Sequence, residues 1–272
     1  MYDFKVNENK CILCGLCAQD CPVHCIKINN YPEMENEDCI KCLHCMAICP
    51  VSAIAINGCA PEQCTPIKDN FPSPEQMEIL IKGRRSIRSY KDENIPKEQL
   101  KKLLDIAWHA PTGVNSQQVL FTVMDKKKAT SMLKDDIYKM LDTHLATQEM
   151  AENDYVMQFF AKAVEGYKEH GADMIFRGAP HFIIASAPKD TPCPTADTHI
   201  ALTYFELMAQ TMNIGTVWNG FIMHLIKTFP ELKARLNIPE NHIIGYTMAF
   251  GMPNVKYTRT VERGSAKVNF IK

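Results

Sequence analysis

The sequence predicts an α+β fold in two parts, a small cysteine-rich head followed by a larger layered domain of helices and strands. Three observations predict it. Nine of the twelve cysteines lie before residue 50, so cysteine use is local and does not cross-link the whole chain. The stretch GCAPEQCTPIKDNFPSP, Gly58 to Pro74, holds four prolines and a glycine with little periodicity, which marks a connector. Beyond it, long helical patterns outnumber short apolar runs that seldom neighbour one another in sequence, as expected of helices layered on a sheet.

In the head, CILCGLCAQDCPVHCIKI places Cys11, Cys14, Cys17 and Cys21 at spacings of three, three and four, with Pro22 after the last. The wording returns 28 residues later as CIKCLHCMAICPVSAIAI, with Cys39, Cys42, Cys45, Cys49 and then Pro50. Such a repeat is one structural unit used twice. After each motif an apolar pair, Ile26 and Ile28 or Ile54 and Ile56, alternates with other residues as a short half-buried strand does. Disulfides, zinc and iron–sulfur clusters compete for these eight cysteines. A chain read as cytoplasmic keeps its thiols reduced, and zinc sites pair two short knuckles across a longer gap. The CxxCxxCxxxCP run favours clusters, because three close thiolates wrap one face of a cluster while the displaced fourth reaches another. Cys25 aligns with Ala53 in the repeat and reads as a small packed residue, while His24 and His44 fall at non-ligand positions.

The duplicated motif resembles the bacterial two-cluster ferredoxins over residues 1 to 57, and the domain is placed at 1–58. The resemblance implies that Cys11, Cys14, Cys17 and Cys49 hold one 4Fe-4S cluster and that Cys39, Cys42, Cys45 and Cys21 hold the other. The connector spans 59–74, and its Cys59 and Cys64 read as unliganded thiols.

The remaining domain, 75–272, opens with PEQMEILIKG, a helix in which Met77, Leu80 and Ile81 share one face. KEQLKKLLDIAWHAP repeats a helical pattern through Leu100, Leu103, Leu104 and Ala107 until Pro111 stops it. VLFTVM from Val119, HFIIASA from His181, TVW at Trp218 and IIGYTMAFG from Ile243 read as strands. Helices are expected from Asp154 to His170 and from Asp197 to Met212. The long region from Lys126 to Phe176 carries no legible motif.

Four polar segments of this domain suggest a ligand. RRSIR brings Arg84, Arg85, Ser86 and Arg88 together, and the planar, permanently charged guanidinium suits a phosphate. APTGVNSQQ, Ala110 to Gln118, offers amides and hydroxyls to a heterocycle edge. In NIGTVWNGF, Asn213 to Phe221, glycines allow backbone to approach a planar ligand. The tail from Met252 holds five Lys and Arg against one acid.

In this order the segments resemble the nitroreductase family of FMN flavoproteins over residues 75 to 272. The resemblance implies FMN held by Arg84, Ser86 and Arg88, with Arg85 close by, and touched from the other side by Thr112 and Asn115. It places the backbone of Trp218, Asn219 and Gly220 against the flavin N5 edge, and Arg259 with Lys256 over the phosphate. The loop departs from the family where it reads NSQQ after Val114. No protein side chain is needed as catalyst, since the chemistry belongs to the flavin; His109, His181, His199 and His224 read as structural. The family further implies a homodimer and a small conjugated acceptor such as a nitroaromatic or quinone; the fused cluster head suggests a low-potential donor such as reduced ferredoxin, with direct reduction by NAD(P)H as the other route. A reductive dehalogenase on the same scaffold, and an electron carrier or redox sensor, are the alternatives.

Charge narrows the partners. Up to Pro74 there are five Lys and Arg against nine Asp and Glu, and thereafter 25 against 22, so an acidic head precedes a mildly basic body. No basic block tracks nucleic acid. No apolar run spans a bilayer and no signal peptide opens the chain, hence the cytoplasmic expectation.

Overall fold

The computed structural model describes residues 3–35, 37–147 and 154–271. The chain divides into two compact units, one running to Pro72 and including Val114–Ser116, the other comprising Ser73–Gly113 and Gln117 onward.

In the first unit β1 (Phe4–Val6) is followed by α1 (Leu16–Gln19), the β2–β3 hairpin (Ile26–Ile28 and Pro32–Met34), α2 (His44–Ala47) and β4 (Ile54–Ile56). β1 pairs antiparallel with β4, Phe4 opposite Ile56, and β2 with β3, Ile26 opposite Met34. The sequence repeat is also a backbone repeat. Leu13 and Lys41, Gly15 and Leu43, and His24 and Ser52 all take positive φ. Gly15 and Leu43 are the N-caps of the two one-turn helices, with φ of 76° and 62°. Leucine there bears the strain that glycine avoids, because the left-handed region crowds a Cβ. The core is small and shared with the thiols: Cys17, Cys21, Cys25, Cys45, Met46, Ile26, Ile54 and Ile56.

The second unit begins with α3 (Pro74–Gly83) and α4 (Lys97–Ala107), then β5 (Leu120–Met124), α5 (Lys127–Thr147), α6 (Tyr155–His170), β6 (His181–Pro188) and α7 (Pro194–Thr211). It closes with β7 (Gly215–Trp218), α8 (Gly220–Thr228), α9 (Glu231–Arg235) and β8 (His242–Gly251). The strands form one antiparallel sheet in the order β5-β6-β8-β7. β6 is buried from His181 through Ala187, as its unbroken apolar run requires of a strand covered on both faces. Its alternate residues feed two cores. Phe182 and Ile184 join Leu133, Leu141 and Phe160 of α5 and α6, together with Leu225 of α8. Ile183 and Ala185 join Leu103 of α4 and Leu202 and Phe205 of α7. The sheet is therefore the middle layer, and the unread region 126–176 supplies two helices of one outer layer; residues 148–153 lie outside the described residues.

α3 behaves differently from its pattern. Ser73 caps it, accepting from Gln76 N at 3.2 Å, yet none of its residues is buried and Met77, Ile79 and Ile81 are exposed. Of the expected face Met77 and Ile81 are exposed and Leu80 is half-buried, with Ile79 on another side of the helix, and the described residues leave these positions uncovered. Among the described residues no helix is long and apolar enough to cross a membrane.

Candidate functional site

The repeated cysteines surround two pockets in the first unit. One is lined by Cys11, Cys14, Cys17 and Cys49, with Leu13, Ile54 and Ala53 among its walls. The other is lined by Cys21, Cys39, Cys42 and Cys45, with Cys25, Ile26 and Ile56. In each pocket three thiols come from one motif and the fourth from the other. Among the described residues no three His, Cys, Asp or Glu converge closely enough to hold a single metal ion. The thiols surround a volume rather than a point, and four cysteines without a carboxylate are the donor set that iron–sulfur clusters use.

Backbone amides reach the thiols as well, Ala53 N donating to Cys49 Sγ at 3.2 Å and Lys41 N to Cys39 Sγ at 3.4 Å. Cys25 is a fifth thiol of the second pocket, its Sγ 3.5 Å from Cys21 Sγ, and burial raises its pKa above that of an ordinary thiol. Cys59 and Cys64 come within 4.0 Å of each other, away from both pockets.

In the second unit RRSIR lies alongside β7. Ser86 bridges Thr216, and Ile87 N donates to Thr216 O at 2.8 Å. Gly215 permits this, since a Cβ there would sit 2.7 Å from Ile87 Cγ1. The glycine expected to admit a ligand admits Ile87 instead. Arg85 donates to Lys82 O and Arg84 O, both at 2.6 Å, and so closes the C-terminal end of α3. Arg88 makes one long bond, Nη1 to Ser86 O at 3.3 Å, and is otherwise presented to solvent.

Arg84 is held by a residue that the sequence reading missed. Glu206, buried in α7, accepts from Arg84 Nη1 at 3.2 Å, Thr216 Oγ1 at 3.2 Å and Trp218 Nε1 at 3.0 Å. One carboxylate thus ties RRSIR to both ends of the β7 segment. Its signal was an acid at helical spacing from the apolar Leu202 and Ala209 of α7, a buried charge that requires partners. Trp218 also packs edge-on to Tyr246 at 5.2 Å and near His199 at 6.0 Å.

Asn219 is buried. Its Oδ1 accepts from Phe221 N and Ile222 N, capping α8, its Nδ2 donates to Ile175 O at 2.9 Å, and Thr247 bonds its backbone on both sides. Its side chain is committed to the α8 cap and to Ile175, so what the segment presents is the helix start at Gly220. A Cβ on Gly220 would lie 3.1 Å from the Tyr246 hydroxyl. Thr112 Oγ1 accepts from Gln117 N, and Gly113 N donates to buried Asp197. Asn115 counts with the first unit, where its Nδ2 donates to Ile40 O at 2.8 Å. Lys256 and Arg259 stand on an exposed stretch past β8 that is tied back by Asn254 N on Ser89 O at 2.9 Å and by the Glu262 carboxylate on Lys82 Nζ at 3.1 Å. His181 is structural: it accepts from Ile95 N through Nε2 and donates to Met124 O through Nδ1.

Residues 81–252 match the nitroreductase family. The chain belongs to that family. Residues 4–27 match the 4Fe-4S binding domain. A Bacillus subtilis protein provisionally named an NAD(P)H nitroreductase is 36% identical over 101 residues, 34% of this chain and 47% of the relative, so less than half of that relative is spanned. The iodotyrosine deiodinase of Thermotoga neapolitana is 22% identical over 178 residues, 64% of this chain and 87% of the relative. Among solved structures, a nitroreductase with bound FMN from Bacteroides fragilis shares the fold with a TM-score of 0.56 and 21% identity, over 72% of this chain and 99% of that one.

Proposed function

We propose that this nitroreductase-family chain is an FMN-dependent oxidoreductase that takes electrons through two 4Fe-4S clusters and reduces nitroaromatics, quinones or similar conjugated acceptors. The observation that carries the reading is a pair of crossed four-thiol pockets in one chain with a nitroreductase-family domain.

The residues fit both groups. Cys11, Cys14, Cys17 and Cys49 hold one cluster, and Cys21, Cys39, Cys42 and Cys45 the other. Ser86 and the guanidinium of Arg88 suit a phosphate monoester, and Arg84 stays charged and oriented against Glu206. Thr112 and Asn115 contribute from the opposite loop, the Gly220 helix start addresses the isoalloxazine edge, and Lys256 and Arg259 close over the phosphate. FMN, when bound, accepts electrons singly and delivers them in pairs, which matches a one-electron relay to a two-electron acceptor.

The chain works as a homodimer. A second copy covers the exposed Met77, Ile79 and Ile81 of α3 and the exposed Val261, Val268 and Phe270 of the tail. Electrons arrive from reduced ferredoxin or a comparable donor, with NAD(P)H as the other source, in keeping with the Bacillus subtilis relative's name.

Anaerobic purification should give about eight irons, the content of two cubanes, with one FMN per chain. Photoreduced protein should then be reoxidised rapidly by a nitroaromatic. Zinc in place of iron, or absence of flavin, overturns the reading. The likeness to an iodotyrosine deiodinase favours a second reading, reductive dehalogenation. Faster reoxidation by a halophenol, with halide released, selects it.

A further inference from the structure

The two thiol pockets differ at several repeat-equivalent positions, Gly15 against Leu43 and Leu16 against His44 among them, and at one position the difference is a thiol. Cys25 and Ala53 occupy equivalent places: each follows its motif's last cysteine by four residues, each is buried at 1% and 4% exposure, and each lines its own pocket. Their backbones are fixed in the same way. The Cys25 carbonyl accepts from Glu35 N at 2.8 Å, and the Ala53 carbonyl from Asn7 N at 2.7 Å. What distinguishes this pair of positions is one sulfur, and that sulfur sits 3.5 Å from Cys21 Sγ.

We propose that Cys25 is a thiol hydrogen-bond donor to the Cys21 sulfur, and that it sets the cluster of Cys21, Cys39, Cys42 and Cys45 at a higher reduction potential than its twin. The inference rests on the two-cluster reading above. Cys21, as a cluster ligand, has no proton to give, so in the 3.5 Å contact the S–H is that of Cys25. Four cysteines already complete the ligand set, which leaves the fifth as donor. An S–H aimed at a ligand sulfur withdraws negative charge from it, and hydrogen bonds to the sulfurs are one of the terms that set cluster potential. The effect favours the form carrying one more electron, so that electron settles first on the Cys25 side. The twin pocket has a methyl group at the same place.

The test is a potentiometric titration of the whole protein, followed by electron paramagnetic resonance, with dithionite supplying one electron per cluster. The parent should show two cluster midpoints. Cys25→Ala should lower the upper midpoint toward the other with iron content unchanged, by a shift equivalent to about tenfold in electron distribution, ~59 mV for one electron. Cys25→Ser, which keeps an O–H donor, should restore part of the shift, and Ala53→Cys should raise the lower midpoint. Unchanged midpoints in Cys25→Ala with full iron overturn the proposal. So does loss of half the iron in Cys25→Ala while Cys21→Ala keeps all of it, since Cys25 would then be a ligand. A parent holding fewer than two clusters would instead break the underlying reading, and the iron count reports that separately.

Discussion

Replacing Glu206 by leucine removes the one acceptor shared by Arg84, Thr216 and Trp218. The Glu206 side chain is 7% exposed and that of Arg84 is 23% exposed, so the pair lies largely out of water. Breaking a buried pair from one side costs about 3–5 kcal/mol, because the surviving charge is left uncompensated. Arg84 retains some solvent contact, which reduces its share. The indole N–H and the Thr216 hydroxyl lose their acceptor too, at about 1 kcal/mol or more each.

A net loss of about 3 kcal/mol is therefore expected for Glu206→Leu, and about half that for Glu206→Gln, whose amide oxygen still accepts. The assay is urea unfolding followed by Trp218 fluorescence in a Trp108→Phe background, at fixed protein concentration. With a slope of about 2 kcal/mol per molar urea, the midpoint should fall by roughly 1.5 M. FMN affinity should fall in parallel, because Arg84 loses its orientation. A change below about 0.5 kcal/mol in the leucine variant, within the range of an ordinary surface substitution, would refute the idea that this carboxylate organises the segment.

Arg88→Ala should weaken FMN binding by about 10- to 100-fold, the loss of one charge-assisted contact of roughly 1.5–3 kcal/mol, with cluster absorption unchanged; flavin fluorescence titration checks it, and unaltered affinity removes Arg88 from the phosphate site. Burial holds His181 below its ordinary 6.5. The unfolded chain then binds a proton that the folded chain refuses, so stability is full above 6.5 and is lost as pH falls through that window. His181→Gln should flatten the pH dependence of thermal unfolding, and an unchanged slope counts against the assignment. Ile79→Glu on the uncovered α3 should convert a dimer to monomers in light-scattering chromatography; a dimer of unchanged affinity would place the interface elsewhere.

What the sequence made legible was whatever short-range pattern encodes. Cluster ligation needs particular cysteines at particular spacings, so the motif and its repeat were legible, while the grouping of Cys49 with Cys11, Cys14 and Cys17, and of Cys21 with Cys39, Cys42 and Cys45, is what the ferredoxin resemblance implies. The apolar run of β6 and the periodicity of α4 likewise announced themselves.

The setting of Arg84 was less legible because its organiser is distant. Glu206 meets Arg84 across 122 positions, and no local pattern links a helix acid to that guanidinium. Local competition explains Arg85, which sits within one turn of unsatisfied helix carbonyls and bonds them in this chain. Glycine was read by its conformational freedom, whereas Gly215 serves by lacking a Cβ where Ile87 packs. The helical period of α3 predicted an apolar face correctly, but a period cannot say which chain covers it.

The measurement that bears most directly on the central claim is donor-dependent turnover of Cys42→Ala. That variant lacks one ligand of the Cys21, Cys39, Cys42 and Cys45 pocket, while the second unit, with its own two cores, retains FMN. If electrons enter through the clusters, nitroaromatic reduction driven by reduced ferredoxin should fall at least about tenfold, which at 1.4 kcal/mol is a modest demand on losing a relay centre. Turnover after direct photoreduction of the flavin should stay near the parent's. Equal ferredoxin-driven rates in variant and parent would contradict the account and make direct nicotinamide reduction of the flavin the entry route.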